Sequence, residues 1–404
     1  MSGPATLNKP QIPQDVDIHD PAFVRDPFTV YDRLRRDCPV ARSNKHGGFW
    51  LMTRYEDVRA GAINWRDFTS SVAGVTAIPV ITPRTEPMLP IEIDPPHHSR
   101  YRALVNPVFA PERVAEITPR IKDLARSILE RMAQKGSADA VAEFCVPVAI
   151  TSLAAFTDVP LADSERWVDW ITRMFDVGDP VAGAAASREL VAYIDGLIAA
   201  RRAIPTGDFI SMLMAAEIDG ERLEDGQIRS FMTVVFGAGF ETTADGLSVM
   251  LHWLAENPAS LARLAAEPGL IPTAVEEFLR FSAPIQVFGR NAARDLCVHD
   301  RRIRAGDIVA LAFGSANRDP AVFEAPDELR LDRKPNRHLT FGAGPHLCAG
   351  AGVARMELAV ALEALIETGI GLALDPGAAP RWKTRGDRRG LAKLPLLVER
   401  KKTD

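Results

Sequence analysis

Residues Phe341-Gly342-Ala343-Gly344-Pro345-His346-Leu347-Cys348-Ala349-Gly350 decide how the rest of the chain is read. Gly342 and Gly344 let the backbone turn tightly and lie close against something flat and bulky. Cys348 follows, then Gly350, and then an apolar-periodic helical run through Val353, Met356 and Val360. The cysteine therefore stands just ahead of a helix N-terminus, where free amide donors and the positive dipole end favour a thiolate. A thiolate held in this way is a good ligand for a soft or borderline metal. A lone cysteine before a helix is also compatible with a small buried hydrophobe. The surrounding chain has to decide between the two.

Working outward, the 404 residues contain no Ser/Gly run or charge block that would separate domains. With 47% hydrophobic residues the chain can bury a large core, so residues 1–404 are expected to form one domain, with 1–20 as a flexible N-terminal segment. A net charge of −5 argues against nucleic-acid binding, which needs a basic surface. Cys38, Cys145, Cys297 and Cys348 show no paired or CxxC spacing, which fits a reducing cytosol and excludes CxxCH attachment of haem. The polar N-terminus lacks a signal sequence, and the longest apolar runs are shorter than the ~20 residues that span a bilayer. A soluble, cytoplasmic monomer is expected.

Helical periodicity marks residues 117–136, 140–158, 164–175 and 184–202, while the small residues of 180–186 suit a hinge or lid. Strand-like alternation marks 49–53, 285–291 and 296–314, with a last strand pair near 385–398 whose turn carries Arg388 and Arg389, expected to be exposed. Residues 70–89 read as a loop whose Val75, Ile78, Val80 and Ile81 either cover the core or line a pocket. Residues 225–256 form a long helical pattern, ~48 Å if continuous. At its centre lies Gly237-Ala238-Gly239-Phe240-Glu241-Thr242-Thr243. Two glycines weaken a helix interior by roughly 1 kcal/mol each, which suggests a kink or groove where a small molecule meets backbone. An acid beside a hydroxyl, Glu241 and Thr242, could pass protons there.

The pieces then align. The ten-residue string fits F-G-x-G-x-x-x-C-x-G at every fixed position and resembles the haem-ligand loop of the cytochrome P-450 monooxygenases. Asp94-Pro95-Pro96-His97-His98-Ser99-Arg100-Tyr101-Arg102 is similar to the family's D-P-P-x-H-x-x-x-R segment, and the 237–243 stretch to its A-G-x-D/E-T-T oxygen-activation motif, with Glu241 where Asp is commoner. The resemblance implies a mainly α fold with small β-sheets, a triangular prism with haem between the long central helix and the Cys-loop helix. It implies Cys348 as axial thiolate on a b-type haem, dioxygen as co-substrate, and Glu241 and Thr242 as proton donors. It further implies that His98, Arg102, Arg290 and His346 hold the haem propionates, and that Glu277, Arg280 and Arg333 form a structural ion network.

Small side chains at Val234, Ala238 and Gly239, with Val287 and Phe288 opposite, suggest room for a compact apolar substrate. Oxygen would enter a C–H bond, and electrons would come from NAD(P)H through a ferredoxin reductase and an iron–sulfur ferredoxin. The ferredoxin would dock near Arg100, Arg113, Arg337 and Arg355. A peroxide-driven peroxygenase and a non-catalytic haem sensor are the alternatives. The first usually lacks the acid–alcohol pair kept here, and the second usually adds an output domain.

Overall fold

A run of helices carries the sequence from Pro111 to Ser282, and a computed structural model shows how they are assembled over residues 15–79 and 87–400. The Pro111–Lys135 helix buries Ile117, Ile121, Ile128 and Leu129 on one stripe, the i, i+4, i+7 spacing that makes a helix amphipathic. The Ala351–Thr368 helix lies along it, and Val146–Thr157 and Glu241–Glu256 complete the largest apolar core. Val146–Thr157 has ten buried residues in succession from Val148 to Thr157 and is enclosed on all sides.

Strands are few and short. Five form one sheet in the order Val40–Ser43, Phe49–Met52, Ile308–Leu311, Phe288–Ala292, Phe68–Thr69. Its pairs are antiparallel except for Ile308–Leu311 against Phe49–Met52, which joins the two ends of the chain in register Ile308 to Phe49. Ile370–Leu374, Pro395–Arg400 and Ser137–Asp139 make a second sheet. The strand pair expected near 385–398 is divided. Leu391–Lys393 pairs with Arg381–Trp382, whereas Pro395–Arg400 pairs elsewhere, because Leu394 breaks the run between them.

Two further expectations change. Residues 180–186 are the first turns of the Pro180–Ala203 helix, started by the Asp179 side chain accepting from the Ala182 amide. Residues 15–20 are packed, with Val16 and Ile18 buried, the Ser43 hydroxyl donating to the Val16 carbonyl at 2.8 Å and His46 2.6 Å from Asp17. The remainder of segment 1–20 lies outside the described residues, as do Val80 and Ile81. Val75 and Ile78 are buried in the core. No helix among the described residues is long and apolar enough to cross a membrane.

The irregular chain between Asn317 and Thr340 is fixed from below by one carboxylate. Glu277, fully buried on the Ile271–Ser282 helix, accepts from Arg280 Nε and Nη2 at 2.8 Å. It also accepts from Arg333 Nε at 3.0 Å, Asn336 Nδ2 at 3.1 Å and the Arg330 amide at 2.8 Å. The two guanidinium groups turn their other edges onto the carbonyls of Asn317, Glu324, Ala325, Pro326 and Glu328. A buried ion pair of this kind is stabilising only because every lone pair and N–H is satisfied.

Removing one partner leaves uncompensated charge in the interior. Glu277→Gln should therefore lower unfolding stability by about 3–5 kcal/mol, read as a fall in denaturant midpoint. A loss below about 1 kcal/mol would mean that the arginines are held by the carbonyls alone.

Candidate active site

The 341–350 loop takes the shape that its glycines foretold. Gly342 and Gly344 have φ of 72° and 71°, and a Cβ at Gly344 would come within 2.9 Å of Ile63 Cα, so only glycine lets the loop lie against the Tyr55–Ile63 helix. The Cys348 amide donates to the Phe341 carbonyl at 2.9 Å, closing the loop three residues ahead of the Ala351–Thr368 helix. Protein surrounds Cys348, yet the residue keeps an accessible surface. Burial pushes its thiol up, against the pull of a hydrogen bond from the Gly350 amide and of the Arg102 and Arg355 charges.

Two histidines and two arginines collect beside it. His98 is buried, and its ring centroid lies 4.4 Å from that of His346. Arg102, four residues on, donates through Nε to Asn106 Oδ1 at 2.7 Å and lies close enough to Cys348 to feel its charge. Arg290 comes from the central sheet and is buried. Its one hydrogen bond among the described residues goes from Nη1 to the carbonyl of its own neighbour, Gly289, at 2.8 Å. Burial lowers Arg290 to about 10 and His98 to about 4, and lowers His346 as well.

Among the described residues, Asp94 is the one carboxylate within reach of this group. It lies 3.5 Å from His346 Nε2 and is held by the Thr69 hydroxyl and the Ser70 amide. Its carboxyl stays down at about 2, because these hydrogen bonds outweigh its desolvation. With His98 lowered to about 4 and His346 lowered as well, the charge is carried by Arg102 and Arg290, and two guanidinium groups against one carboxylate leave positive charge uncompensated. A buried guanidinium without a carboxylate is costly, so the donor set fits an anionic group such as a pair of propionates.

The long helical pattern breaks where its glycines and threonines stand. The Asp225–Gly239 and Glu241–Glu256 helices meet at Phe240, whose φ and ψ of −125° and −38° interrupt the ladder. The Thr242 hydroxyl donates to the Ala238 carbonyl at 3.1 Å, filling part of the gap. Val234, Ala238 and Thr242 follow one another at four-residue intervals along one face, and Ala238 is exposed. Gly239 is different. A Cβ there would meet Leu153 Cδ1 at 2.6 Å, so it is the point where two helices touch rather than part of an open wall. Val287 also needs correction: it is 3% exposed and packs with Ile18, Tyr31 and Ile78. Phe288, on the opposite side of the strand, is half-buried beneath the Arg290 guanidinium.

Glu241 points into a cluster that sequence reasoning missed. Lys383 Nζ donates to Glu241 Oε1 at 2.8 Å and to Asp245 Oδ1 at 2.7 Å, and Arg388 donates to Glu241 Oε2. Arg388 is therefore buried, contrary to the exposed turn expected, with Arg389 half-buried behind it. Arg385 pairs with Asp387 beside them. Burial would raise Glu241, but Arg388 and Lys383 override it and hold its carboxyl well below the usual range. Asp245 has one shared cation and Glu241 as a neighbour, so burial wins and its carboxyl rises. The positive run from Arg381 to Arg389 was the available signal, but no spacing rule connects it to a helix 140 residues away. Glu357, buried near Ser152 and Thr243, was equally unreadable, and burial pushes it up to about 8.

Comparison with known proteins places this geometry. The family model described as Cytochrome P-450 matches residues 185–368. The chain is 36% identical to nocardicin C N-oxygenase of Nocardia uniformis over 91% of its own length and 94% of that protein's. It is 35% identical to mycinamicin IV hydroxylase/epoxidase of Micromonospora griseorubida, over 91% and 94%. The solved structure of the bacillaene polyketide synthase cytochrome P-450 PksS of Bacillus subtilis superposes with a TM-score of 0.86 at 32% identity, covering 95% of this chain and 100% of that one. A mainly helical fold with small sheets, a cysteine-bearing glycine loop and relatives matched along nearly their whole length lead to one conclusion: the chain belongs to the cytochrome P-450 family of haem-thiolate monooxygenases.

Proposed function

We propose that this chain inserts one oxygen atom into a C–H bond of a compact apolar substrate, with Cys348 as the thiolate that would hold the haem iron. The observation that carries the reading is the break at Phe240, where Thr242 turns its hydroxyl onto the Ala238 carbonyl next to Glu241, itself held by Lys383 and Arg388. When bound, the haem supplies dioxygen activation and oxygen transfer. The chain's own residues do the rest. His98, Arg102, Arg290 and His346 bind the propionates, and Thr242 and Glu241 hold and move protons at the helix break. Val234, Ala238 and Phe288 flank the substrate and exclude water. The names of the relatives, an N-oxygenase and a hydroxylase/epoxidase, support oxygen insertion as the reaction class.

Electrons would come from NAD(P)H through a ferredoxin reductase and a ferredoxin. Of the arginines suggested for docking, Arg100 pairs with Asp219, Arg113 with Glu116 and Arg355 with Glu276. Paired surface cations present less net charge to an acidic partner. Arg337→Glu together with Arg355→Glu should slow reduction by ferredoxin and leave dithionite reduction unchanged. Equal slowing by both would reject the docking face.

Arg290→Leu should weaken haem retention while the fold persists, because an apolar side chain relieves the buried charge but no longer pairs with a propionate. The check is haem content after gel filtration beside the far-ultraviolet circular dichroism of the same sample. Full haem content would remove Arg290 from the propionate site.

The reaction itself is tested by titrating the ferric protein with compact apolar compounds for the low-to-high-spin Soret shift, then turning over the best of them. Thr242→Ala should consume NADH at a rate near that of the parent but form roughly tenfold or more less product, the scale of a lost proton-transfer group. Undiminished product would exclude Thr242 from proton delivery, and a shift given only by polar compounds would overturn the substrate class.

A further inference from the structure

Glu241 faces a physical conflict. Two cations hold it ionised, and a carboxylate clamped in that way cannot take up a proton or turn toward the helix break. One of the cations has somewhere else to go. Lys383 reaches Asp245 as closely as it reaches Glu241, at 2.7 Å against 2.8 Å. Arg388 is committed to Glu241 and stacks its guanidinium 4.3 Å from the Phe175 ring centroid. Asp245 is 1% exposed, and its second oxygen, Oδ2, has no hydrogen-bond partner among the described residues. An unfilled acceptor is uncommon at such depth. The C-terminal loop is also shaped around this carboxylate, since a Cβ at Gly390 would lie 2.2 Å from Asp245 Oδ1.

We propose that Lys383 is a positioning residue shared between two carboxylates, and that Asp245 is the alternate acceptor that takes Lys383 when Glu241 must release it to carry a proton. This rests on the assignment of Glu241 to proton delivery and adds to it the device that sets when delivery is possible. No bond other than a hydrogen bond is made or broken. With Asp245 ionised, Lys383 leans toward it, Glu241 keeps Arg388 alone and its proton affinity rises. With Asp245 protonated, Lys383 has one anion left and locks Glu241. The charged or titratable groups that act on Asp245 are Glu241 on its own helix, Lys383, Arg385 and Arg388 from the C-terminal loop, and Cys145 from the segment before Val146–Thr157.

The sign of the pH dependence follows. Asp245 is raised to about 6, so acidification through that range neutralises it and tightens the hold on Glu241. In the holoenzyme, product formed per NADH should fall as pH drops through about 6, whereas Asp245→Asn should be low and flat across the same range. A second readout is independent of turnover. The component of the protonated-carboxyl infrared band that titrates near 6 in the parent should vanish in Asp245→Asn, while the Glu357 component stays, and should shift its midpoint upward in Lys383→Met, where the compensating cation is lost. An unmoved midpoint in Lys383→Met, or an Asp245→Asn profile that follows the parent, overturns the proposal. Glu241→Gln separates the two layers. Parental coupling in that variant refutes Glu241 as a proton carrier, while lost coupling with an unaltered Asp245→Asn profile refutes only the shared lysine.

Discussion

The Glu277 carboxylate is the constraint on which the placement of the cysteine loop depends. One oxygen pair gathers Arg280 from its own helix, Arg333 and Asn336 from the irregular chain beyond, and the Arg330 amide. The same two arginines satisfy five backbone carbonyls that no helix or sheet could reach. The order continues outward. Asn317 accepts from the Leu339 amide and donates to Thr340, whose hydroxyl donates to the Leu279 carbonyl. The loop that begins at Phe341 is thus anchored to the same helix as Glu277, and Cys348 hangs from Phe341 by its amide. Local propensity fixes none of this chain, and a buried electrostatic knot does.

Charge is distributed in opposite ways on the two sides of the molecule that carry function. Beside Cys348, cations outnumber anions and Arg290 lacks a carboxylate among the described residues. Around Glu241 the account is balanced, with Lys383 and Arg388 against Glu241 and Asp245, and Arg385 against Asp387. The first arrangement suits a ligand that brings negative charge. The second suits a group whose protonation is meant to be held and then let go. A haem-thiolate monooxygenase needs an anchored cofactor, and only the first arrangement leaves charge for a ligand to neutralise.

Sequence reading reached the loop residues because glycine and cysteine have few interchangeable solutions. Gly342 and Gly344 demand positive φ, and the structure gives it to both. It reached the helix break because Gly239, Thr242 and Thr243 contradict a helical period at one place. It also recovered Glu277, Arg280 and Arg333, three residues spread over 57 positions that meet in space. It failed where a side chain's direction depends on distant packing. Val287 and Phe288 are neighbours in the sequence, but the pleat sends one into the core with Ile18 and the other beneath Arg290. Arg388 looked like a solvated turn residue, because nothing near it shows that Glu241 and Asp245 would come to lie opposite. Gly239 was read as space, and Leu153 occupies that space.

The surplus of positive charge at Arg102 and Arg290 has a consequence for the chain before a ligand neutralises it. Like charges crowded at low dielectric repel, so the apoprotein pays a penalty that the loaded form does not. That penalty falls on the His97–Val105 helix, which carries Arg102, and on the Phe288–Ala292 strand, which carries Arg290. A site whose surplus charge attracts an anionic ligand is, by the same charge, less stable before that ligand arrives.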